Sequence, residues 1–126
     1  MAWTDKRPMS PHLQIYKLPM TAVLSVLHRG TGAALGVGGL LIVWILARAA
    51  GGEDDFAAAN WVLSSLLGKL VLFGFTAALY YHFCNGIRHL LWDIGWGLDL
   101  KTSKHSGQAV LGVSLSLTAL TWLVAL

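Results

Sequence analysis

Three long apolar runs, centred on residues 30–47, 58–92 and 106–126, leave this chain little choice of solvent. A helix of about 20 apolar residues crosses the roughly 30 Å hydrocarbon core of a bilayer, so three crossings with short connections use up most of a chain this long. A mean hydropathy of +0.62 with only 12% charged residues lies outside the range of ordinary soluble domains. A transmembrane barrel would alternate apolar and polar residues in segments of about 10, and the unbroken runs here do not. The expected fold is an all-α membrane protein with transmembrane helices at about 21–49, 58–92 and 106–126, preceded by a polar segment over 1–20.

That leading segment carries Pro8, Pro11 and Pro19, which favour an extended path along the surface. It does not read as a signal peptide, because the apolar run begins only after Met20. Gly51-Gly52-Glu53-Asp54-Asp55 reads as a loop, and residues 93–105 as a second one containing Asp93, Asp99, Lys101 and Lys104. Lys6, Arg7, Lys17 and Arg29 on the N-terminal side, with Arg88, Lys101 and Lys104 about the second loop, face Arg48 alone at the first loop. Short basic loops stay on the cytoplasmic or matrix side, so the N-terminus is expected inside and the C-terminus outside. Trp61 and Trp92 suit the two interfaces. The net charge of +3 is spread without a dense basic patch, so no nucleic-acid partner is expected. Cys84, the one cysteine, cannot form an intrachain disulfide and reads as a small hydrophobe. Gly32, Gly36 and Gly39, and likewise Ser114, Thr118 and Thr121, recur at helical spacing and read as packing faces for close helix approach.

Ionisable residues inside spans are costly, so each needs a partner or a purpose. Ser25, His28 and Arg29 share a face near the start of the first helix, and His82, Gly86, His89 and Asp93 share one on the second. His82 is about 15 Å along its helix from Trp92, within the hydrocarbon zone, where water cannot satisfy an imidazole. A hydrogen-bonded structural histidine is one reading. Ligation of a b-type haem iron is the other, with Gly86 one turn later leaving room for a porphyrin. His89 sits nearer the interface, within reach of water, a haem propionate or Asp93. His28 and Arg29 lie where propionates would emerge, and a guanidinium binds carboxylates through paired hydrogen bonds. Arg29 can equally snorkel to lipid phosphate. The Ser25 hydroxyl could serve a quinone carbonyl or bond back to its own helix. Lys69, in mid-run, reads as a side chain snorkelling outward, and His12 and His105 as solvated loop residues.

Three blocks make the chain recognisable: Arg7-Pro8-Met9-Ser10-Pro11-His12-Leu13, then Ser25-Val26-Leu27-His28-Arg29-Gly30-Thr31-Gly32, then His82-Phe83-Cys84-Asn85-Gly86-Ile87-Arg88-His89-Leu90-Leu91-Trp92-Asp93. Together, and over nearly the whole length, they resemble the cytochrome b556 subunits of succinate dehydrogenase, the larger of that complex's two membrane anchors. The resemblance implies that His82 is an axial ligand of haem b, the metal-binding position, with the opposing histidine from the small membrane-anchor subunit. It implies that Ser25 and Arg29 line the ubiquinone site and that His28, Arg29 and His89 lie near the haem propionates. It further implies an iron–sulfur subunit and a flavoprotein subunit as partners, which carry the iron–sulfur clusters and FAD.

On that resemblance the chain is expected to be a non-catalytic membrane subunit of succinate:quinone oxidoreductase. It would sit in a bacterial cytoplasmic or mitochondrial inner membrane and help pass electrons from succinate to ubiquinone. The anchor of a fumarate reductase and a haem-less structural anchor are the alternatives. A transporter component is disfavoured, because no broken paired helices or internal repeat appear.

Overall fold

The computed structural model describes residues 16–125, so the Arg7–Leu13 block, His12 and Leu126 lie outside the described residues. Four helices follow in order: α1 (Met20–Ala50), α2 (Glu53–Ser64), α3 (Leu66–Asp93) and α4 (Leu100–Ala125). Three of them, α1, α3 and α4, are long and apolar enough to cross a membrane. Their 31, 28 and 26 residues correspond to about 39–46 Å at 1.5 Å per residue, so their ends project beyond the hydrocarbon core. α3 is central and packs against both α1 and α4.

The distribution of polarity is inverted relative to a soluble protein. Asn85, Arg88, Ser103, Ser114 and Thr118 are buried, while Leu40, Leu46, Leu66, Leu115 and Val124 among many others are exposed. In water that would expose a ruinous apolar area. In lipid the apolar exterior costs nothing, and polar groups are driven inward to find partners. The chain is an integral membrane protein.

The structure departs from the expected helix over 58–92. The chain breaks at Ser65 (φ −64°, ψ 160°) into α2 and α3. The Ser65 hydroxyl donates to the Val62 carbonyl at 2.6 Å and accepts the Gly68 N–H at 3.1 Å, capping α3. Gly68 is obligatory here, because a β-carbon would overlap the backbone carbonyls of Val62 and Leu63. The acidic run read as a loop is instead the first turn of α2, where Glu53, Asp54 and Asp55 oppose the positive end of the helix dipole. Asp55 pairs with Arg48 at 3.0 Å across the α1–α2 turn. The break also accounts for Lys69. It lies in the first turn of α3 and is exposed, at the end of a span rather than in its middle.

The other end is closed by a compact turn. Gly95 (φ +80°) ends α3, with the Trp96 N–H on the Leu91 carbonyl (2.9 Å) and the Gly95 N–H on the Trp92 carbonyl (2.8 Å). This is the paired 6→1 and 5→2 pattern that a left-handed glycine makes available. The Asp99 carboxylate then accepts the Thr102 N–H at 2.9 Å, and its carbonyl accepts from Ser103 at 2.8 Å, so α4 starts at Leu100 rather than at 106. The Thr102 hydrogen bonds hold the Asp99 carboxyl below its ordinary range.

Ser103, Gly107, Val110, Ser114 and Thr118 form the buried stripe of α4. Ser114 and Thr118 turn their hydroxyls back onto Leu111 and Ser114 carbonyls, and Thr121 meets the Tyr80 hydroxyl at 2.8 Å. The glycine face expected on the first helix is only partly used. Gly32 abuts His82, but Gly36 and Gly39 face open space, and Gly38 is the residue that admits the Phe75 ring.

Candidate functional site

The start of α1, the last turns of α3 and the start of α4 meet at one end of the bundle, and the polar side chains converge there. Tyr81 and Leu24 form the apolar floor with Val110. Above it, three imidazoles form a stack. The His28 and His82 ring centroids are 4.0 Å apart with planes 11° from parallel, and those of His28 and His89 are 4.8 Å apart at 15°. The i, i+7 spacing of His82 and His89 places both on the face of α3 turned to α1, and His28 slots between them.

The hydrogen bonds of this stack decide which ring nitrogens are free. His82 Nδ1 lies 3.1 Å from the His28 carbonyl and 3.3 Å from Thr31 Oγ1. A carbonyl can only accept, so Nδ1 carries the proton and Nε2 is left with its lone pair. His89 Nδ1 likewise donates to the Asn85 carbonyl at 2.8 Å, which takes it away from Asp93, the partner considered from sequence. His28 Nδ1 is buried without a hydrogen-bond partner. Parallel rings present their faces to each other, so their nitrogens do not converge. Among the described residues no group of three or more His, Cys, Asp or Glu side chains could close around a metal ion. The cluster can therefore offer a metal single imidazole nitrogens, with the remaining ligands coming from elsewhere.

Gly86 faces His28: a β-carbon there would sit 4.0 Å from His28 Cε1. Its bareness makes room beside the stacked ring. Ser25 is half-buried and Arg29 exposed, and neither is joined to the histidines by a hydrogen bond among the described residues. Both lie on α1 within one turn of His28.

Sequence reasoning missed Arg88 and Asn85. Arg88, counted there with the loop cations, is only 4% exposed. Its guanidinium donates to Ser106 Oγ (2.9 Å), Asn85 Oδ1 (3.3 Å), and the Ser103 carbonyl and hydroxyl (2.9 and 3.1 Å), and its carbon centre lies 3.9 Å from the Trp92 ring centroid. Arg88 thus ties α3 to the first turns of α4. Asn85 is fully buried, with Nδ2 unpartnered. The available signal was spacing: Tyr81, Asn85 and Arg88 recur at i, i+4 and i+7, a buried stripe beside that of the histidines. On the far side of α3, a 230 Å³ cleft lined by Arg88, Trp92, Trp96, Cys84 and Ser106 opens without contact with the histidines.

A three-span helical protein whose buried polar groups collect at one end around an imidazole stack belongs to the class of membrane subunits built to hold a group at fixed depth. Residues 4–121 match the family model described as succinate dehydrogenase/fumarate reductase transmembrane subunit, and the chain belongs to that family. It is 45% identical over 118 residues to the succinate dehydrogenase cytochrome b556 subunit of Paracoccus denitrificans, covering 94% of this chain and 91% of that one. It is 32% identical to the cytochrome b560 subunit of Reclinomonas americana, covering 94% and 85%. With the mitochondrial cytochrome b560 subunit of Bos taurus it shares 38% identity over 112 residues, 86% of this chain and 65% of that one.

Proposed function

We propose that this chain is a membrane anchor of succinate dehydrogenase that holds haem b jointly with a second, smaller anchor subunit and forms part of the pocket where ubiquinone is reduced. The observation that carries the reading is the state of His82. Its Nδ1–H is committed to the His28 carbonyl, leaving Nε2 as an electron-pair donor inside the bundle. Metal-bound histidines characteristically donate their other ring N–H in this way.

The residues present fit a haem. One imidazole nitrogen is prepared as a donor, the cluster cannot supply a converging second one, and the buried His28 Nδ1 lacks a partner within the chain. A porphyrin iron with an opposing histidine from the small anchor would complete the set. When bound, haem supplies a one-electron redox centre within the membrane. Arg29 and His28, on the α1 side of the stack, would hold its propionates, Arg29 through its paired donors. His89 lies one layer nearer the surface and would close the same polar edge.

Ubiquinone takes up two electrons and two protons to become ubiquinol, the electrons coming from succinate through the flavoprotein and iron–sulfur subunits. Ser25 and Arg29 would hold the quinone head group, donating hydrogen bonds to a carbonyl oxygen as negative charge grows on it. The iron–sulfur subunit would dock on the inner face, the face of the N-terminus and the Gly95–Asp99 turn, where Lys17, Lys101 and Lys104 lie. Protons would enter from that side.

The test is the reduced-minus-oxidised absorption spectrum of the purified complex. Wild type should give a b-type spectrum, and His82→Ala should lose it while the chain still inserts. An unchanged spectrum in the variant overturns the assignment. A fumarate reductase anchor is the second reading, because the family covers both enzymes. Comparing succinate oxidation with fumarate reduction, each with ubiquinone and menaquinone, separates them.

A further inference from the structure

We propose that Thr31 is a positioning residue that fixes the tautomer of His82 and strengthens its Nε2 as a haem ligand, an inference that rests on the haem reading above. Thr31 is one turn along α1 from Leu27 and half-buried. Its hydroxyl donates back to the Leu27 carbonyl at 2.8 Å or the His28 carbonyl at 3.0 Å. With its proton spent on its own helix, Oγ1 turns a lone pair toward His82 Nδ1, 3.3 Å away. The His28 carbonyl approaches the same nitrogen at 3.1 Å. Two acceptors thus share one N–H, and only the Nδ1-protonated ring satisfies either of them.

The same stretch of α1 supplies the steric half of the cradle. The His28 ring covers one face of His82 at 4.0 Å. Gly32 lies against its edge, where a β-carbon would come within 2.9 Å of His82 Cε1. Residues 28, 31 and 32 therefore hold the ring by stacking, hydrogen bonding and bare backbone in turn. An imidazole whose N–H is drawn toward oxygen acceptors is a more basic ligand at its other nitrogen, and a more basic ligand favours the oxidised iron. The backbone carbonyl is present whatever residue occupies position 31, so the hydroxyl is the part that sequence can adjust.

The experiment uses the whole complex and compares Thr31→Val, which keeps the volume and removes the oxygen, with Thr31→Ser, which keeps the oxygen. Thr31→Val should raise the ferrous-to-ferric ratio at fixed ambient potential by about tenfold, equivalent to ~59 mV for a one-electron couple. It should also shift the low-spin electron paramagnetic resonance g values, while Thr31→Ser stays at the wild-type position in both. If Val and Ser both match wild type, or both shift together, the hydroxyl has no such role and the proposal falls. Should Thr31→Val not assemble, electron–nuclear double resonance on the oxidised wild-type complex should detect an exchangeable proton on the ligand imidazole, and its absence overturns the tautomer assignment. Retention of the haem spectrum by His82→Ala sinks the ligand reading itself, a result separable from either outcome at Thr31.

Discussion

The Tyr81 hydroxyl donates to the Leu24 carbonyl at 2.7 Å, pinning α3 to α1 one residue before His82. Its neighbour Tyr80 reaches the other way, to Thr121 on α4. Adjacent tyrosines thus fix the central helix to both flanking ones. Tyr81→Phe removes one buried hydrogen bond without opening a cavity. It should lower stability by about 1 kcal/mol, read as a small fall in the thermal midpoint of the detergent-solubilised complex with haem content retained. A loss of haem equal to that of His82→Ala would show that the tyrosine does more than join helices.

Arg88 carries a heavier structural role. Removing its guanidinium strands Asn85, Ser103 and Ser106 in the interior and empties the space above Trp92. Arg88→Ala should cost about 3 kcal/mol, in the range seen when a buried charged network is broken. Arg88→Lys keeps the charge but not the fork that reaches three residues, and should recover only part of that loss. Chemical denaturation in mild detergent measures both, and a wild-type midpoint for Arg88→Ala would contradict the network described here.

The glycines of α1 separate into those that touch and those that do not. Gly32→Ala forces His82 Cε1 to yield by several tenths of an ångström, so haem content should drop sharply. Gly36→Ala meets nothing within 4 Å, and should leave the spectrum at wild-type intensity. Equal effects at the two positions would mean that the α1–α3 contact is elsewhere.

The Asp99 cap gives a pH dependence of definite sign. Its folded pKa lies below the ordinary carboxylate value of about 3.9, because the ionised form accepts the Thr102 hydrogen bonds. The cap is therefore fully formed above that ordinary value and is lost as pH falls through the lower, folded one. Amide exchange at Thr102, compared with Asp99→Ala at each pH, should show extra protection near neutrality that disappears in strong acid. A difference that persists below the folded pKa would rule out the carboxylate as its source.

Lys69, in the first turn of α3, lies at the opposite end of the bundle from Lys101 and Lys104. In sealed membrane vesicles a membrane-impermeant amine reagent should label Lys69 from one side only, and Lys17, Lys101 and Lys104 from the other. Labelling of all four from one side would overturn the orientation.

The spans and the histidine face were legible in the sequence because both rest on periodicity. Apolar runs of bilayer length identify a crossing whatever its neighbours, and the i, i+7 spacing of His82 and His89 specifies a shared face. The break at Ser65 was hidden because Ser64 and Ser65 interrupt hydropathy too little to end a run, and the need for glycine at position 68 is visible only once two backbones meet. The first turns of α4 were read as loop because a helix that has left the bilayer is polar. Asp99 followed by Thr102 was the capping signal available. Arg88 was misplaced for a different reason: charge alone does not say whether a cation at a helix end faces the headgroups or the bundle. That choice is made by Ser103 and Ser106 on another helix.

The kink at Ser65 uncouples two requirements that one continuous helix would have to meet together. Residues added to or lost from α2 alter only what rests on the outer surface. A single insertion within α3 would swing everything after it through about 100°, turning His82 from its cradle toward the lipid. Length variation should accordingly be tolerated on one side of that serine and forbidden on the other.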